Sequence, residues 1–185
     1  MPKILGPLLL WPFVLGIPAA FAQSPNLGKP VSPADIARWD IDIERDGQGL
    51  PPGEGTPAQG ASIFAEKCSA CHGDGGRGTA LSRSGAPAPP ALVSDKKRQG
   101  IDGSTTTIAN FWPYAPPLFD YIRRAMPWTA PRSLTDHEVY ALTAYILAEN
   151  KLIDTKQVID ARTLPKVIMP NRNGFLARFP EMTPH

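Results

Sequence analysis

The sequence has only two cysteines and three histidines, and its positive and negative charges nearly cancel. Clustered Lys and Arg residues mark nucleic-acid-binding surfaces, but the net charge is +2 and the only basic run is residues 96–98. We therefore expect no nucleic-acid partner. The 22 prolines and 16 glycines restrict long helices to part of the chain. No internal repeat is visible, and 185 residues suggest one domain with additions.

The N-terminal segment has the pattern of a secretory signal peptide. A positive start, Met1-Pro2-Lys3, precedes the apolar residues 4–18, and Ala20-Phe21-Ala22 is a small-x-small cleavage site. The alternative is an uncleaved anchor, because residues 4–22 are almost long enough to cross a bilayer. Three prolines in that stretch weaken a spanning helix. We predict cleavage before Gln23, a periplasmic location, and no membrane span in the mature protein.

The run Cys68-Ser69-Ala70-Cys71-His72 is a C-x-x-C-H motif, which is typical of covalent haem c attachment. Two intervening residues give the thiols the separation of the two vinyl groups on one edge of the porphyrin. The histidine follows at once, so its imidazole is carried beneath the ring. We predict that Cys68 and Cys71 attach one haem c and that His72 is the proximal ligand of its iron.

Other uses of two cysteines are less consistent with this sequence. A disulfide is common in exported proteins, but the C-x-x-C-H spacing favours haem. A redox-active C-x-x-C belongs to a βαβ context, and no strand-rich pattern precedes Cys68. A zinc site needs two further ligands, yet there is no other cysteine, and His137 and His185 lie far along the chain.

The iron of such a haem needs a second axial ligand or keeps an open site. Methionine opposite histidine is the pairing associated with cytochromes c. Met126 precedes Pro127, which ends a predicted helix, so Met126 lies in a loop before the last helix. We predict that Met126 is the distal iron ligand, the alternative being a packing role. The rival candidates are Met169, Met182, His137 and His185.

Capping patterns predict two main helices. The box Thr56-Pro57-Ala58-Gln59 opens a helix that runs to about Lys67 and delivers the first cysteine. A second box, Thr135-Asp136-His137-Glu138, opens a helix with an apolar stripe that ends near Asn150. We expect the two helices to cross, with Gly60 allowing a close approach.

The predicted organisation has four parts: a signal peptide (1–22), an N-terminal arm (23–55), a helical domain (56–153) and an extended C-terminal arm (154–185). Short helices are expected at residues 32–39 and 118–125, and residues 73–116 are expected to be mostly loop. In that loop we expect Phe111, Trp112 and Tyr114 to line the haem pocket. We also expect a carbonyl of residues 90–92 to accept the His72 Nδ1 proton.

Several stretches resemble the haem subunits of sulfite and sulfane dehydrogenases of the sulfur-oxidation (Sox) type. The resemblance covers residues 26–175, and its more specific parts are the aromatic loop around Trp112 and the Arg-Arg-Ala-Met-Pro run. The stretches that carry it are 39–43 (WDIDI), 49–53 (GLPPG), 107–115 (TIANFWPYA), 118–127 (LFDYIRRAMP), 133–136 (SLTD) and 164–175, which begins LPKV and ends GF.

This resemblance implies an all-α fold, a class I cytochrome c-like helical domain with long loops and extended N- and C-terminal arms. It also implies an electron-transfer protein rather than an enzyme, with Cys68, Cys71, His72 and Met126 as haem ligands. The implied partners are a molybdenum-cofactor subunit that oxidises sulfite or a sulfane compound and a downstream cytochrome c acceptor. The alternative is a haem enzyme that acts on a sulfur compound or peroxide at its own iron, which would need an open axial position.

We expect the intact mass of the exported protein to equal that of residues 23–185 plus one haem. Mass spectrometry of the purified mature protein measures both values together. A mass that retained residues 1–22 would contradict cleavage, and one without the porphyrin would contradict haem attachment.

Overall fold

The computed structural model describes residues 27–79, 89–95 and 106–175. The predicted signal peptide, the basic run at 96–98, Met182 and His185 therefore lie outside the described residues. The described residues fall into two compact units that divide between Arg38 and Trp39. The first described helix, α1 (Pro33–Trp39), confirms the short helix expected there. The amide of Asp35, in the first turn of α1, donates to the Ser32 hydroxyl oxygen at 3.2 Å.

The second unit is mainly helical in its described part, which confirms the all-α prediction. Within that part, no helix combines the length and apolar character that a membrane crossing requires. A two-stranded antiparallel sheet pairs β1 (Glu54–Gly55) with β2 (Ile159–Asp160), so that Glu54 lies opposite Asp160 and Gly55 opposite Ile159. The elements are β1 (Glu54–Gly55), α2 (Pro57–Lys67), α3 (Ser69–His72), α4 (Ile108–Phe111), α5 (Pro116–Ala125), α6 (Asp136–Glu149) and β2 (Ile159–Asp160), with 3-10 turns at Asp74–Gly76 and Leu164–Lys166.

Both predicted capping boxes are confirmed. At α2, the Thr56 side chain accepts from the Gln59 amide, and the Gln59 side chain accepts from the Thr56 amide at 2.9 Å. At α6, Thr135 and Glu138 make the same reciprocal pair. These bonds satisfy amides that an uncapped helix would leave without partners, so the sequence fixes where both helices begin.

Helices α2 and α6 cross in close contact at Gly60, as expected. A Cβ atom at Gly60 would lie 2.0 Å from the carbonyl oxygen of Ala141. Gly55 meets the same residue, since a Cβ there would lie 2.2 Å from the Ala141 amide nitrogen. Only glycine fits at these two positions, so β1 and α2 both pack directly on the backbone of α6.

Helix α6 is buried on most of its circumference, rather than along one stripe as predicted. From Val139 to Ala148 every residue except Tyr145 is buried. Helix α2 covers one side, α5 packs against another, and the short sheet contacts it as well. The ring of Tyr140 lies 4.4 Å from that of Phe119, and its hydroxyl donates to the Pro51 carbonyl at 2.8 Å. Helix α6 is therefore the central element of the core.

The C-terminal arm packs on the helical unit as far as the structure describes it. The side chains of Ile159, Leu164 and Met169 are each at most 1% exposed and belong to the main apolar cluster. Fully burying side chains of this size stabilises a fold by about 1.5–3 kcal/mol each. This part of the arm is thus a component of the core.

One short helix was not predicted, and another helix begins earlier than predicted. Helix α4 lies within residues 73–116, which we expected to be mostly loop, because Asn110 caps the Thr107 amide at 2.8 Å. Helix α5 begins at Pro116, two residues before the predicted start. Its two prolines occupy the first helical positions, where the absent amide proton costs nothing.

We predict that Gly60→Ala destabilises the protein, because the added methyl group would overlap the Ala141 backbone. Overpacking of this kind costs about 1–3 kcal/mol, which exceeds the roughly 1 kcal/mol gained in helix propensity. Ser62→Ala, at an exposed position of the same helix, is the matched control and should change the free energy of unfolding by less than about 0.5 kcal/mol. Denaturant unfolding of both variants measures this difference, and equal stabilities would contradict the close crossing.

Candidate functional site

The C-x-x-C-H motif forms one helical turn directly after α2. Cys68 is the C-cap residue of α2 and the N-cap residue of α3. Its amide donates to the Phe64 carbonyl at 2.9 Å. The amides of Cys71 and His72 both donate to the Cys68 carbonyl, at 3.1 and 2.9 Å. Residues three and four apart on a helix are neighbours on its surface. The turn therefore presents both thiols and the imidazole from one short piece of backbone.

The two thiols fit a covalent attachment site. Neither cysteine forms a disulfide, although they are only three residues apart. Burial raises the pKa of the Cys68 thiol to about 11, against a smaller lowering effect of Lys67. Cys68 is therefore a neutral thiol at pH 7. Two unpaired thiols on one turn are the donor set that thioether bonds to the vinyl groups require.

The surroundings of His72 favour its neutral imidazole form. Burial lowers the pKa of His72, and the carbonyl of Pro90 raises it by a smaller amount. Its Nδ1 atom is buried and has no hydrogen-bond partner of normal geometry among the described residues. Neutral imidazole is the form that ligates metals. A neutral imidazole beside a backbone carbonyl is compatible with a ligand histidine, so His72 fits the predicted role.

The loop over His72 is held by backbone hydrogen bonds. The carbonyl of Gly76 accepts from the amides of Leu92 and Val93, at 2.8 and 3.0 Å. The Gly78 amide donates to the His72 carbonyl at 2.8 Å. These bonds bring residues 90–93 beside the motif. The expected acceptor region is therefore adjacent to the ring, while the Nδ1 hydrogen bond itself stays a prediction.

Met126 lies directly after α5, as predicted, and its amide donates to the Ile122 carbonyl at 3.0 Å. It is half-buried and packs against the main apolar cluster. Its rival Met169 is 1% exposed and belongs to the C-terminal part of the core. The assignment of Met126 as the distal ligand stays a prediction.

The spare histidine of the fold, His137, is exposed in the first turn of α6. Its Nδ1 atom lies 3.0 Å from the carbonyl oxygen of Glu54 and 3.3 Å from the Glu54 amide nitrogen. His137 therefore contacts β1. In the described part of the chain, no group of three or more His, Cys, Asp or Glu residues could hold a metal ion.

The aromatic loop contacts both ends of the second unit. The ring of Trp112 packs edge-on against Tyr121 at 5.8 Å, and Phe111 packs edge-on against Phe175 at 5.5 Å. The guanidinium groups of Arg45 and Arg172 lie 5.8 and 4.7 Å from the Tyr114 ring centre. Residues before α2 and after α6 therefore meet at this loop. Its role as a wall of the haem pocket stays a prediction.

Just before Met126 lies a polar cluster around Arg124, which was not predicted from the sequence. Arg124 Nε contacts Asp120 at 2.7 Å, and its Nη2 contacts Asp42 at 2.7 Å and the Ile41 carbonyl at 2.9 Å. The carboxylates of Asp120 and Asp42 raise the pKa of Arg124. Asp42 and Arg124 both belong to stretches that carry the resemblance. Because they are 82 residues apart, the sequence did not predict their contact.

Comparison with known proteins identifies the family. The sequence model of the Cytochrome c family matches residues 57–149. A chain of the solved sulfane dehydrogenase SoxCD from Paracoccus pantotrophus is 32% identical, with a TM-score of 0.72 over 85% of this chain and 74% of that chain. No curated protein matches the sequence.

The chain therefore belongs to the cytochrome c family, with the all-α, class I cytochrome c-like fold and the covalently bound haem c that the sequence predicted. More particularly, it is a c-type cytochrome that resembles a chain of the sulfane dehydrogenase. The free thiols, the partly buried imidazole and the C-x-x-C-H turn are the features that fit this cofactor.

We predict that Met126→Ala abolishes the absorption band of sulfur–iron ligation in the oxidised holoprotein, because the thioether is the proposed ligand. Met169→Ala is the matched control: it should keep the band but lower stability by about 2–5 kcal/mol, because it opens a cavity in the core. Visible spectra and denaturant unfolding separate the two effects. Loss of the band in Met169→Ala alone would transfer the ligand to the C-terminal arm.

Proposed function

We propose that this chain is a periplasmic electron-transfer cytochrome. It would accept electrons from a molybdenum-cofactor subunit that oxidises sulfite or a sulfane compound and pass them to another cytochrome c. Electron transfer follows from the family. The donor is proposed on one observation, the 32% identity over 85% of this chain to a chain of a sulfane dehydrogenase.

The residues of the site suit this role. A haem attached at Cys68 and Cys71 supplies one-electron exchange between ferrous and ferric iron. His72, kept neutral by burial, would be one axial ligand. Met126 would be the other, and a thioether opposite imidazole favours the ferrous state. With both axial positions filled by side chains, no substrate would need to reach the iron.

The location is proposed from the sequence. A periplasmic protein needs an export signal, and residues 1–22 have that pattern.

We predict that the oxidised holoprotein stays oxidised when sulfite or a sulfane compound is added alone. It should become reduced when a co-purified molybdenum-containing subunit is also present. The reason is that the substrate would be oxidised at the partner, while this chain receives single electrons. Visible absorption of the reduced haem measures the result, and metal analysis of the co-purified protein tests for molybdenum.

Two outcomes decide between the candidate functions. Reduction without a partner, together with a high-spin spectrum, would contradict pure electron transfer and favour an enzyme acting at its own iron. A partner that lacks molybdenum, or a complex that neither sulfur compound reduces, would contradict the proposed donor and leave the carrier role in place.

A further inference from the structure

We propose that Arg123 and Arg124 act together as a clamp on the base of the Met126 loop, residues 126–135, and thereby control how readily Met126 leaves the iron. Both are positioning residues that act through the loop. The inference rests on the proposed function, because it takes Met126 as the distal ligand. It concerns the two arginines of the Arg-Arg-Ala-Met-Pro run, which have no role in the function described so far.

Arg123 closes the loop across its two ends. Its Nε atom lies 3.1 Å from a carboxylate oxygen of Asp136. Arg123 lies in the last turn of α5, and Asp136 is the first residue of α6. One ion pair therefore joins the helix that ends just before the loop to the helix that begins just after it. Both side chains are about one-third exposed, at 27% and 34%, so the pair is partly shielded from water.

Arg124 joins the last turn of α5 to residues 41–42, which precede α2 in the chain. Its guanidinium binds Asp120 within α5, and it also binds Asp42 and the Ile41 carbonyl on the other side, with all three distances between 2.7 and 2.9 Å. The two neighbouring arginines thus point to different partners. One reaches α6, and the other reaches residues 41–42, so the last turn of α5 is held from both sides.

The loop has few other interactions that would hold it. Residues 128–133 are all exposed, and the Trp128 side chain is 70% exposed. Only Met126 and Leu134 of the loop pack against the main apolar cluster. The backbone hydrogen bonds within it join Ala130 to Pro127 at 2.8 Å and Ser133 to Ala130 at 3.3 Å. Segments with few buried contacts open most easily, so the fixed ends of the loop matter for the position of Met126.

The two arginines line a polar cleft, so they can be substituted without disturbing the apolar core. The cleft has a volume of about 220 Å³, and its walls include both arginines, Arg132, Leu134 and Asp136. Replacing either arginine at the edge of an open cleft leaves the apolar core unchanged. We therefore expect the variants to fold and to bind haem, so that the effect on Met126 can be measured separately from global stability.

The experiment measures how easily imidazole displaces Met126 from the oxidised holoprotein. Imidazole binds only when the loop has released the thioether, so its apparent affinity reports the population of the open loop. We expect Arg123→Gln to raise this affinity about threefold and Arg124→Gln about tenfold, because partly exposed pairs contribute up to about fivefold each and Arg124 makes more bonds. Arg124→Lys, which keeps the charge but loses the fork, should fall between Arg124→Gln and wild type.

Two controls distinguish a clamp from a general loss of stability. Arg162→Gln removes the ion pair between the exposed Arg162 side chain and Asp160, far along the chain, and it should leave the imidazole affinity unchanged. In the Asp136→Asn background, Arg123→Gln should have no further effect, since its partner is already absent. Denaturant unfolding of every variant checks that a change in imidazole affinity does not simply follow a change in global stability.

The outcomes separate this inference from the proposed function. Unchanged imidazole affinity in both glutamine variants, with the sulfur–iron band intact, would overturn the clamp and leave Met126 as the ligand. An effect of Arg162→Gln as large as that of Arg124→Gln would also overturn it. If Met126→Ala keeps the sulfur–iron band, the ligand assignment itself is wrong, and the clamp is overturned with it.

Discussion

The rest of the structure depends on the close crossing of α2 and α6. Gly60 and Gly55 both bring backbone onto Ala141, where a single added carbon would overlap the α6 backbone. The crossing sets the direction of α2, whose C-cap is Cys68, so it also sets where the attachment turn begins. Lys67 and Glu138 reinforce the same junction with an ion pair at 2.6 Å. The position of Cys68, Cys71 and His72 is thus a consequence of helix packing.

The proposed haem ligands come from two different kinds of segment, a helical turn and a loop. Cys68, Cys71 and His72 share one helical turn, while the proposed distal ligand Met126 comes from an exposed loop more than fifty residues later. Such a loop has few contacts of its own, so elements at its base must hold it. Parts of both arms supply contacts within the second unit: residues 41–42 contact α5, and Ile159, Leu164 and Met169 belong to the core.

Local chemistry made several features predictable. The capping boxes at Thr56 and Thr135 place the helix starts because reciprocal side-chain bonds depend only on residues three apart. The α4 helix escaped prediction, since its Thr107–Asn110 cap is short and lies in a proline-rich stretch. The burial of α6 on most of its circumference was also missed. Its sequence shows one apolar stripe, and the other faces are covered by β1, β2 and α5, which are distant in sequence.

The sequence by itself determined the cofactor, the attachment turn and the family, because C-x-x-C-H encodes a covalent reaction between residues that are neighbours in the chain. Tertiary structure alone decided that Met169 is a core residue and that Arg124 binds Asp42 across 82 positions. It also decided that the His72 imidazole is partly buried beside Pro90, with its Nδ1 atom out of contact with water. These properties arise from contacts between distant segments, and burial and pairing of that kind exist only after the chain has folded.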